Sequence, residues 1–288
     1  MPEISKTAVG TSTGMQTFVY TWRDVVLYAL GVGAKAEELE YLYEKNLKAV
    51  PSFGVIPLAG TFGITPPRSL PAGIWDLLGV PLEDALHMTE ELVLHKPIPP
   101  MGGKLIYQDV LTNVSDRGGR GVVLRTEISA YDEAGEKVFT NFSDLVFLKY
   151  TSPGAGAPPK SAVEIPDRDP DLRERDFVPA NQHLLYRLSG DTNRIHVDPQ
   201  AAAAAGLPGP IMQGLCTFGY ACRLSVKNLV PKEPERVKRI GTQFRNPLMP
   251  GSAIELQLWK VGAKQAFFRV VDLTTGLPAL DRGFFEWE

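Results

Sequence analysis

The sequence predicts an α+β fold built from two similar halves. Segments rich in β-forming residues follow one another with connections too short for parallel crossovers, which indicates antiparallel sheets. A stretch rich in Pro, Gly and Ala interrupts this pattern, after which a helix followed by strands appears again. We therefore predict an N-terminal half over residues 1–150, a linker over residues 151–175 and a C-terminal half over residues 176–288.

In the N-terminal half a helix precedes the strands. The stretch Phe18–Leu30 begins extended and turns helical after Thr21, a suitable N-cap residue, and the glycines at positions 31 and 33 end it. The strands are predicted over Glu91–His95, Lys104–Val114, Gly121–Tyr131 and Val138–Tyr150. Turn signals between the last three of them predict a meander.

The C-terminal half repeats this arrangement. A helix is predicted over Pro179–Leu188, and a longer one follows Pro210 and runs to about Leu229. Strands are predicted over Val237–Arg245, Ala253–Val261, Gln265–Leu273 and Leu280–Trp287.

Three pairs of short motifs occur in the same order in both halves. They are Leu27–Gly33 with Leu185–Asp191, Thr61–Gly63 with Thr217–Gly219, and Lys96–Gly102 with Asn246–Gly251. The common order indicates two diverged copies, each a helix wrapped by an antiparallel sheet. Gly33 stands opposite Asp191, and the first copy has no counterpart of His196, so we predict a single active site in the second copy.

That site is predicted where Asp191, Asn193 and His196 follow the turn signal Ser189-Gly190. A turn and a short helical piece would bring the carboxylate and the imidazole together, and such a pair performs acid–base chemistry near neutral pH. Two structural interpretations compete with this one: Asp191 as a helix N-cap, and His196 as a half-buried, hydrogen-bonded histidine.

Composition excludes some function classes. A net charge of −3 gives no basic surface for nucleic acid. The four histidines are scattered without metal-ligand spacing, so we expect no metal site. Cys216 and Cys222 are expected to be buried, reduced thiols. No apolar run has the length of a membrane span, and neither a signal peptide nor a C-terminal peroxisomal tripeptide is recognised, so we expect a cytoplasmic protein.

Tyr186–Asn193 with His196, followed by Gly214–Gly219, resembles the signature of MaoC-like (R)-specific 2-enoyl-CoA hydratases, the hydratase 2 family. Leu27–Gly33 and Pro51–Val55 are similar to the N-terminal half of the hydratase 2 unit of peroxisomal multifunctional enzyme type 2. The resemblance covers roughly Phe18 to Trp287 and implies a double hot-dog fold. It also implies reversible hydration of trans-2-enoyl-CoA to (3R)-3-hydroxyacyl-CoA, as in fatty acid β-oxidation, with no cofactor beyond the CoA of the substrate.

The resemblance further implies roles for particular residues. Asp191 and His196 match the catalytic pair, Asn193 the residue that helps to hold water, and the N–H of Gly214 the oxyanion donor. Glu44 matches a glutamate with a catalytic or supporting role; a solvated surface carboxylate is the alternative. Substrate contacts are expected near His87, Arg117 and Phe244. By analogy with other hot-dog proteins, we expect a homodimer.

The sequence departs from the family pattern at three places: Arg194 replaces a proline, Gln213 a histidine and Gln243 an arginine. These changes bear on substrate preference and leave the acid–base pair intact. Four readings thus stand beside one another: a hydratase, the same reaction run as a dehydratase in acyl or polyketide synthesis, a hot-dog thioesterase, and a non-catalytic acyl-thioester-binding module.

Overall fold

The computed structural model describes residues 2–56, 74–81 and 84–288. Within these ranges the strands are β1 (Ser12–Thr21), β2 (Ala85–Leu94), β3 (Gly102–Asp116), β4 (Val122–Tyr131), β5 (Lys137–Phe147), β6 (Leu172–Phe177), β7 (Val237–Phe244), β8 (Ala253–Gly262), β9 (Gln265–Asp272) and β10 (Pro278–Trp287). The α-helices are α1 (Trp22–Gly31), α2 (Ile74–Leu78), α3 (Gln182–Tyr186), α4 (Pro199–Ala204) and α5 (Gly214–Leu229).

The strands form a single sheet in the order β1-β3-β4-β5-β2-β7-β10-β9-β8-β6. From the outer edge inward, the first half runs β1-β3-β4-β5-β2 and the second half runs β6-β8-β9-β10-β7. In both halves the strands are therefore arranged in the order first, third, fourth, fifth and second. The two halves meet where β2 pairs antiparallel with β7, from Thr89 opposite Gln243 to Val93 opposite Arg239. This repeated topology confirms the predicted α+β fold with two copies of one unit.

One strand lies partly inside the range 151–175 that the sequence predicts as a linker. Strand β6 begins at Leu172 and pairs with β8 at the edge of the second half. Most residues of β6 are charged, and the prediction of strands relied on β-forming residues, so this strand was not predicted. Charged side chains are suited to an edge strand, and Arg173 and Arg175 both bind the carboxylate of Glu255 on β8.

Helix α1 begins after Thr21, as predicted, because the Asp24 carboxylate accepts hydrogen bonds from both the N–H and the hydroxyl of Thr21. Its C-terminal end packs on the second half. The Gln182 side-chain amide donates to the carbonyls of Leu30 and Gly31 at 2.7 and 2.6 Å. The two copies are therefore joined through their helices as well as through the sheet.

Helix α5 is the long central helix of the second half, and most of its side chains are buried. In the first half, a short 3₁₀ helix, Pro51–Val55, packs against α5. The motif Thr61–Gly63 lies outside the described residues. Cys216 and Cys222 on α5 are buried free thiols, as predicted. No helix in the described ranges combines the length and apolar character needed to cross a membrane.

Candidate active site

The loop after α3 brings Asp191 and His196 together. The chain leaves α3 through a 3₁₀ turn that ends at Gly190, whose positive φ of 129° redirects it into Asp191. Asp191 Oδ1 accepts the N–H of Asn193 at 3.2 Å. Asn193 Oδ1 in turn accepts the N–H of Ile195 at 3.2 Å and so caps the 3₁₀ helix Arg194–His196. The capping residue is therefore Asn193, and the Asp191 carboxylate remains available.

The facing atoms of the pair are His196 Nε2 and Asp191 Oδ2, which lie 3.8 Å apart. The other ring nitrogen, Nδ1, lies 2.9 Å from the carbonyl oxygen of Ile211. A carbonyl only accepts hydrogen bonds, so Nδ1 carries a proton, and in the neutral ring Nε2 presents a lone pair towards Asp191. The 3.8 Å separation is too long for a direct hydrogen bond but suits one small molecule bonded to both groups.

The surroundings of this pair raise the pKa of Asp191. The residue is only 8% exposed, and its burial raises the pKa of the carboxyl above the ordinary value. His196, the N–H of Asn193 and His87 oppose this shift because they favour the charged form. The pKa of the neighbouring His183 is lowered by burial and by the closeness of His196.

Gly214 is the first residue of α5, so its N–H has no acceptor within the helix and lies at the positive end of the helix dipole. A side chain would not fit easily here. A Cβ at this position would lie 3.0 Å from Phe244 Cε1. The glycine thus lets the Phe244 ring pack directly over the helix N-terminus.

His87 reaches the same place from the first half. Strand β2 has a register shift between His87 and Thr89, which puts His87 opposite the buried Leu145. Its ring lies on that of Phe244, with ring centroids 4.5 Å apart, and its Nε2 lies 3.2 Å from Glu90 Oε2. The structure therefore gathers His87, Phe244 and Gly214 beside the acid–base pair.

Glu90 is a site residue that sequence reasoning missed. It is 1% exposed, and burial raises the pKa of its carboxyl, while hydrogen bonds from His87 and Ser143 favour the charged form. A glutamate within a strand carries no sequence signal of its own. Only the pairing of β2 with β5, which puts Glu90 opposite Ser143, reveals that it faces the interior.

Among the described contacts, no hydrogen bond or ion pair joins Glu44 or Arg117 to Asp191 or His196. Glu44 is exposed, and the segments flanking it contact the later part of α5 and the residues after it, through Glu38 to Arg223 and Lys48 to Glu235. Arg223 lies about 13 Å along α5 from Gly214.

Arg117 lies in the turn between β3 and β4, where its N–H donates to the carbonyl of Gly121. Val122 at the end of this turn lies opposite Phe147, and Phe147 lies opposite Ala85 at the start of β2. Arg117 is therefore at the same end of the sheet as His87.

The three departures from the family pattern occupy different surroundings. The exposed Arg194 binds the Asp198 carboxylate at 2.6 Å. Gln213 is fully buried, and its amide nitrogen donates to the carbonyl of His183 at 3.0 Å, directly before Gly214. Gln243 on β7 pairs with Thr89 of β2. Among the described residues, no cluster of three or more His, Cys, Asp or Glu side chains is arranged to hold a metal ion.

Comparison with known proteins identifies the family. The model of the MFE-2 hydratase 2 N-terminal domain matches residues 18–148, and the model of the MaoC-like domain matches residues 161–282. An enoyl-CoA hydratase of Mycobacterium tuberculosis is 32% identical over 269 residues, with 92% of both chains covered. The chain belongs to the hydratase 2 family of MaoC-like proteins.

Longer relatives contain this unit as one part. Peroxisomal multifunctional enzyme type 2 of Mus musculus is 33% identical over 272 residues, which are 90% of this chain but 35% of the mouse protein. Among solved structures, a MaoC-like dehydratase from Phytophthora capsici superposes with a TM-score of 0.86 at 29% identity and covers 97% of this chain and 96% of its own. The fold is the double hot-dog fold.

Proposed function

We propose that this protein hydrates trans-2-enoyl-CoA thioesters reversibly to (3R)-3-hydroxyacyl-CoA, with Asp191 and His196 acting on one water molecule. The observation that carries the proposal is the 3.8 Å separation of His196 Nε2 and Asp191 Oδ2, both buried and close to the N-terminus of α5. Membership of the hydratase 2 family supports the reaction class.

The hydrogen bonds suggest how the two groups divide the work. His196 Nε2, held as the acceptor by the Nδ1 bond to Ile211, takes a proton from water as its oxygen attacks C3. The electrons of the double bond move towards the thioester carbonyl, and the carboxyl of Asp191, whose pKa is raised by burial, gives its proton to C2. The proton on His196 then returns to Asp191 through the next water molecule.

The negative charge that develops on the thioester oxygen needs a hydrogen-bond donor. The N–H of Gly214 meets this need because it lacks an intrahelical acceptor and the dipole of α5 adds to its positive potential. Phe244 and His87 would then lie beside the thioester. In this proposal Asn193 shapes the loop and orients the water, and Glu44 takes no part.

One assay separates this reaction from its alternatives. The protein is incubated with crotonyl-CoA or a longer trans-2-enoyl-CoA, and loss of the enoyl absorbance and release of free thiol are followed together. We expect loss of the enoyl group without thiol. Release of thiol would identify a thioesterase, and no change with chains of several lengths would favour a non-catalytic binding module.

Further properties belong to the same proposal. The first half, which lacks the acid–base motif, would accommodate the acyl chain, and the second half would provide the chemistry. We also propose a homodimer in the cytoplasm that uses no metal or further cofactor. Light scattering of the purified protein tests the dimer, and full activity after treatment with a chelator tests the metal-free reaction.

A further inference from the structure

The interior of the first half contains a band of polar side chains between two separate apolar clusters. One cluster includes Tyr107, Ile128 and Phe139, and the other includes Leu111, Leu124 and Leu145. Between them, strands β2 to β5 carry buried polar residues, which we call the polar band: Glu90, Asp109, Thr126, Asn141 and Ser143.

Members of the polar band have hydrogen-bonding atoms that the described contacts leave unsatisfied. These atoms are both carboxylate oxygens of Asp109, the hydroxyl of Thr126, Oε1 of Glu90 and Oδ1 of Asn141. Asp109 is 0% exposed and Thr126 is 1% exposed, so bulk water does not solvate them. Buried polar groups are normally hydrogen-bonded, and several unsatisfied ones on a single inner face indicate that they bind another polar group.

The polar band occupies two adjacent rows of the sheet, with Asp109 and Asn141 on either side of Ile128 in one row and Thr126, Ser143 and Glu90 in the other. Thr126 lies opposite Ser143, and Ser143 lies opposite Glu90, with which it shares a hydrogen bond. From β2 to β3, where Asp109 lies, the band crosses three strand spacings, or about 14 Å.

One end of the band adjoins the candidate active site. Glu90 binds His87, the His87 ring lies on Phe244, and Phe244 packs against Gly214. The band therefore starts beside the place where the thioester would bind and leads into the half that would hold the acyl chain.

We propose that the polar band binds a hydroxyl or carbonyl group carried by the acyl tail of the substrate. This inference rests on the proposed function and adds the class of acyl group to it. The methylene groups of such a tail would pack against the apolar clusters on either side, while its oxygen would bind Thr126 or Asp109. A plain alkyl tail in the same place would cover these polar atoms without bonding to them, which is unfavourable.

The chemistry of the band suits such an oxygen. The hydroxyl of Thr126 both donates and accepts hydrogen bonds. Burial raises the pKa of Asp109 to about 7, so near neutral pH a large share of its carboxyl groups are protonated and can donate as well as accept. Asp109 and Thr126 together can therefore bind either a hydroxyl or a carbonyl group.

A panel of substrates tests the proposal. The panel contains trans-2-enoyl-CoA thioesters of one chain length, one unsubstituted and the others with a single hydroxyl group at successive carbons beyond C4. We expect the protein to prefer one or two adjacent hydroxyl positions over the unsubstituted chain by about tenfold in kcat/KM, the effect of about one well-made hydrogen bond. Equal or lower values at every position would overturn the proposal.

Variants separate binding from folding. Thr126→Val keeps the shape of the side chain, and it should lower kcat/KM for the preferred hydroxylated substrate about tenfold while raising it for the unsubstituted one. Thr112→Val makes the same chemical change at an exposed position on β3 and should affect neither substrate. In Asp109→Asn, the new side chain both donates and accepts hydrogen bonds, so the preference for the hydroxylated substrate should be kept. Asp109→Leu should abolish this preference.

The outcomes also separate this inference from the proposed function. Equal losses on both substrates in Thr126→Val would mean that the residue is only structural, and this result would overturn the polar-band proposal. Hydration of the unsubstituted chain without any preference for a hydroxylated one would overturn the polar-band proposal and leave the proposed function in place. Failure to hydrate any member of the panel would overturn the proposed function and, with it, the inference.

Discussion

Replacing Asp191 with asparagine removes the proposed acid but keeps the shape of the loop. The side-chain oxygen of the new residue can still accept the N–H of Asn193, which lies 3.2 Å from Asp191 Oδ1. An amide cannot deliver the proton that C2 requires. We therefore expect kcat for hydration to fall by about 10²–10⁴-fold, which corresponds to about 3–5 kcal/mol in the activation barrier.

The same variant should be more stable than the wild type at neutral pH. Because burial raises the pKa of Asp191, the folded protein holds this proton more tightly than the unfolded chain does. The contribution of Asp191 to the free energy of unfolding therefore falls as the pH rises from its pKa in the unfolded chain to its pKa in the folded protein. Above both values, the full cost of burying the charged carboxylate is present. Asn removes this cost, and its advantage should disappear at pH values below the ordinary pKa of an aspartic acid.

Two measurements check this prediction. Steady-state hydration of crotonyl-CoA gives kcat, and urea unfolding at neutral and acidic pH gives the free energy of unfolding. Asp169→Asn makes the same change at an exposed carboxylate whose side chain is 97% accessible, and it should alter neither quantity. Wild-type kcat in Asp191→Asn would refute the assignment of the acid, and a loss of stability at neutral pH would refute the electrostatic reasoning.

Three further substitutions test other parts of the site and the fold. Gly214→Ala would put a Cβ 3.0 Å from the Phe244 ring, and the resulting displacement should lower kcat/KM about tenfold without unfolding the protein, as circular dichroism would show. Gly219→Ala would put a Cβ 2.2 Å from Val32 Cγ1, where the halves meet, and should reduce the free energy of unfolding by about 1–3 kcal/mol in urea. Glu44→Gln changes an exposed side chain and should leave kcat/KM within about twofold, whereas a large loss would restore Glu44 to the site.

Much of the architecture follows from local sequence patterns. The alternation of β-forming residues predicts the meander of β3, β4 and β5, and the paired motifs predict the duplication that the strand order confirms. Strand β6 escaped prediction because its charged residues suit an edge that is exposed to water. Its place is determined by pairing with β8, a contact far away in the sequence.

The candidate site, too, can be predicted from the sequence only in part. Asp191 and His196 are close in sequence, so turn signals are sufficient to predict that they converge. Glu90 and the polar band depend on the cross-strand register of β2 to β5, and a register shift in β2 turns His87 towards Phe244. A single sequence contains no local signal for such pairings, because each strand shows only its own alternation.

The central claim is that one water molecule, held between Asp191 and His196, supplies the hydroxyl group while Asp191 delivers the proton to C2 on the same face of the substrate. The most direct test is hydration of crotonyl-CoA in deuterium oxide, with the configuration of the product determined at C2 and C3. Because both groups lie on one side of the bound substrate in this proposal, we predict a (3R)-hydroxyl group with deuterium added to the same face of the double bond. Addition to opposite faces, or a (3S) product, would contradict the account.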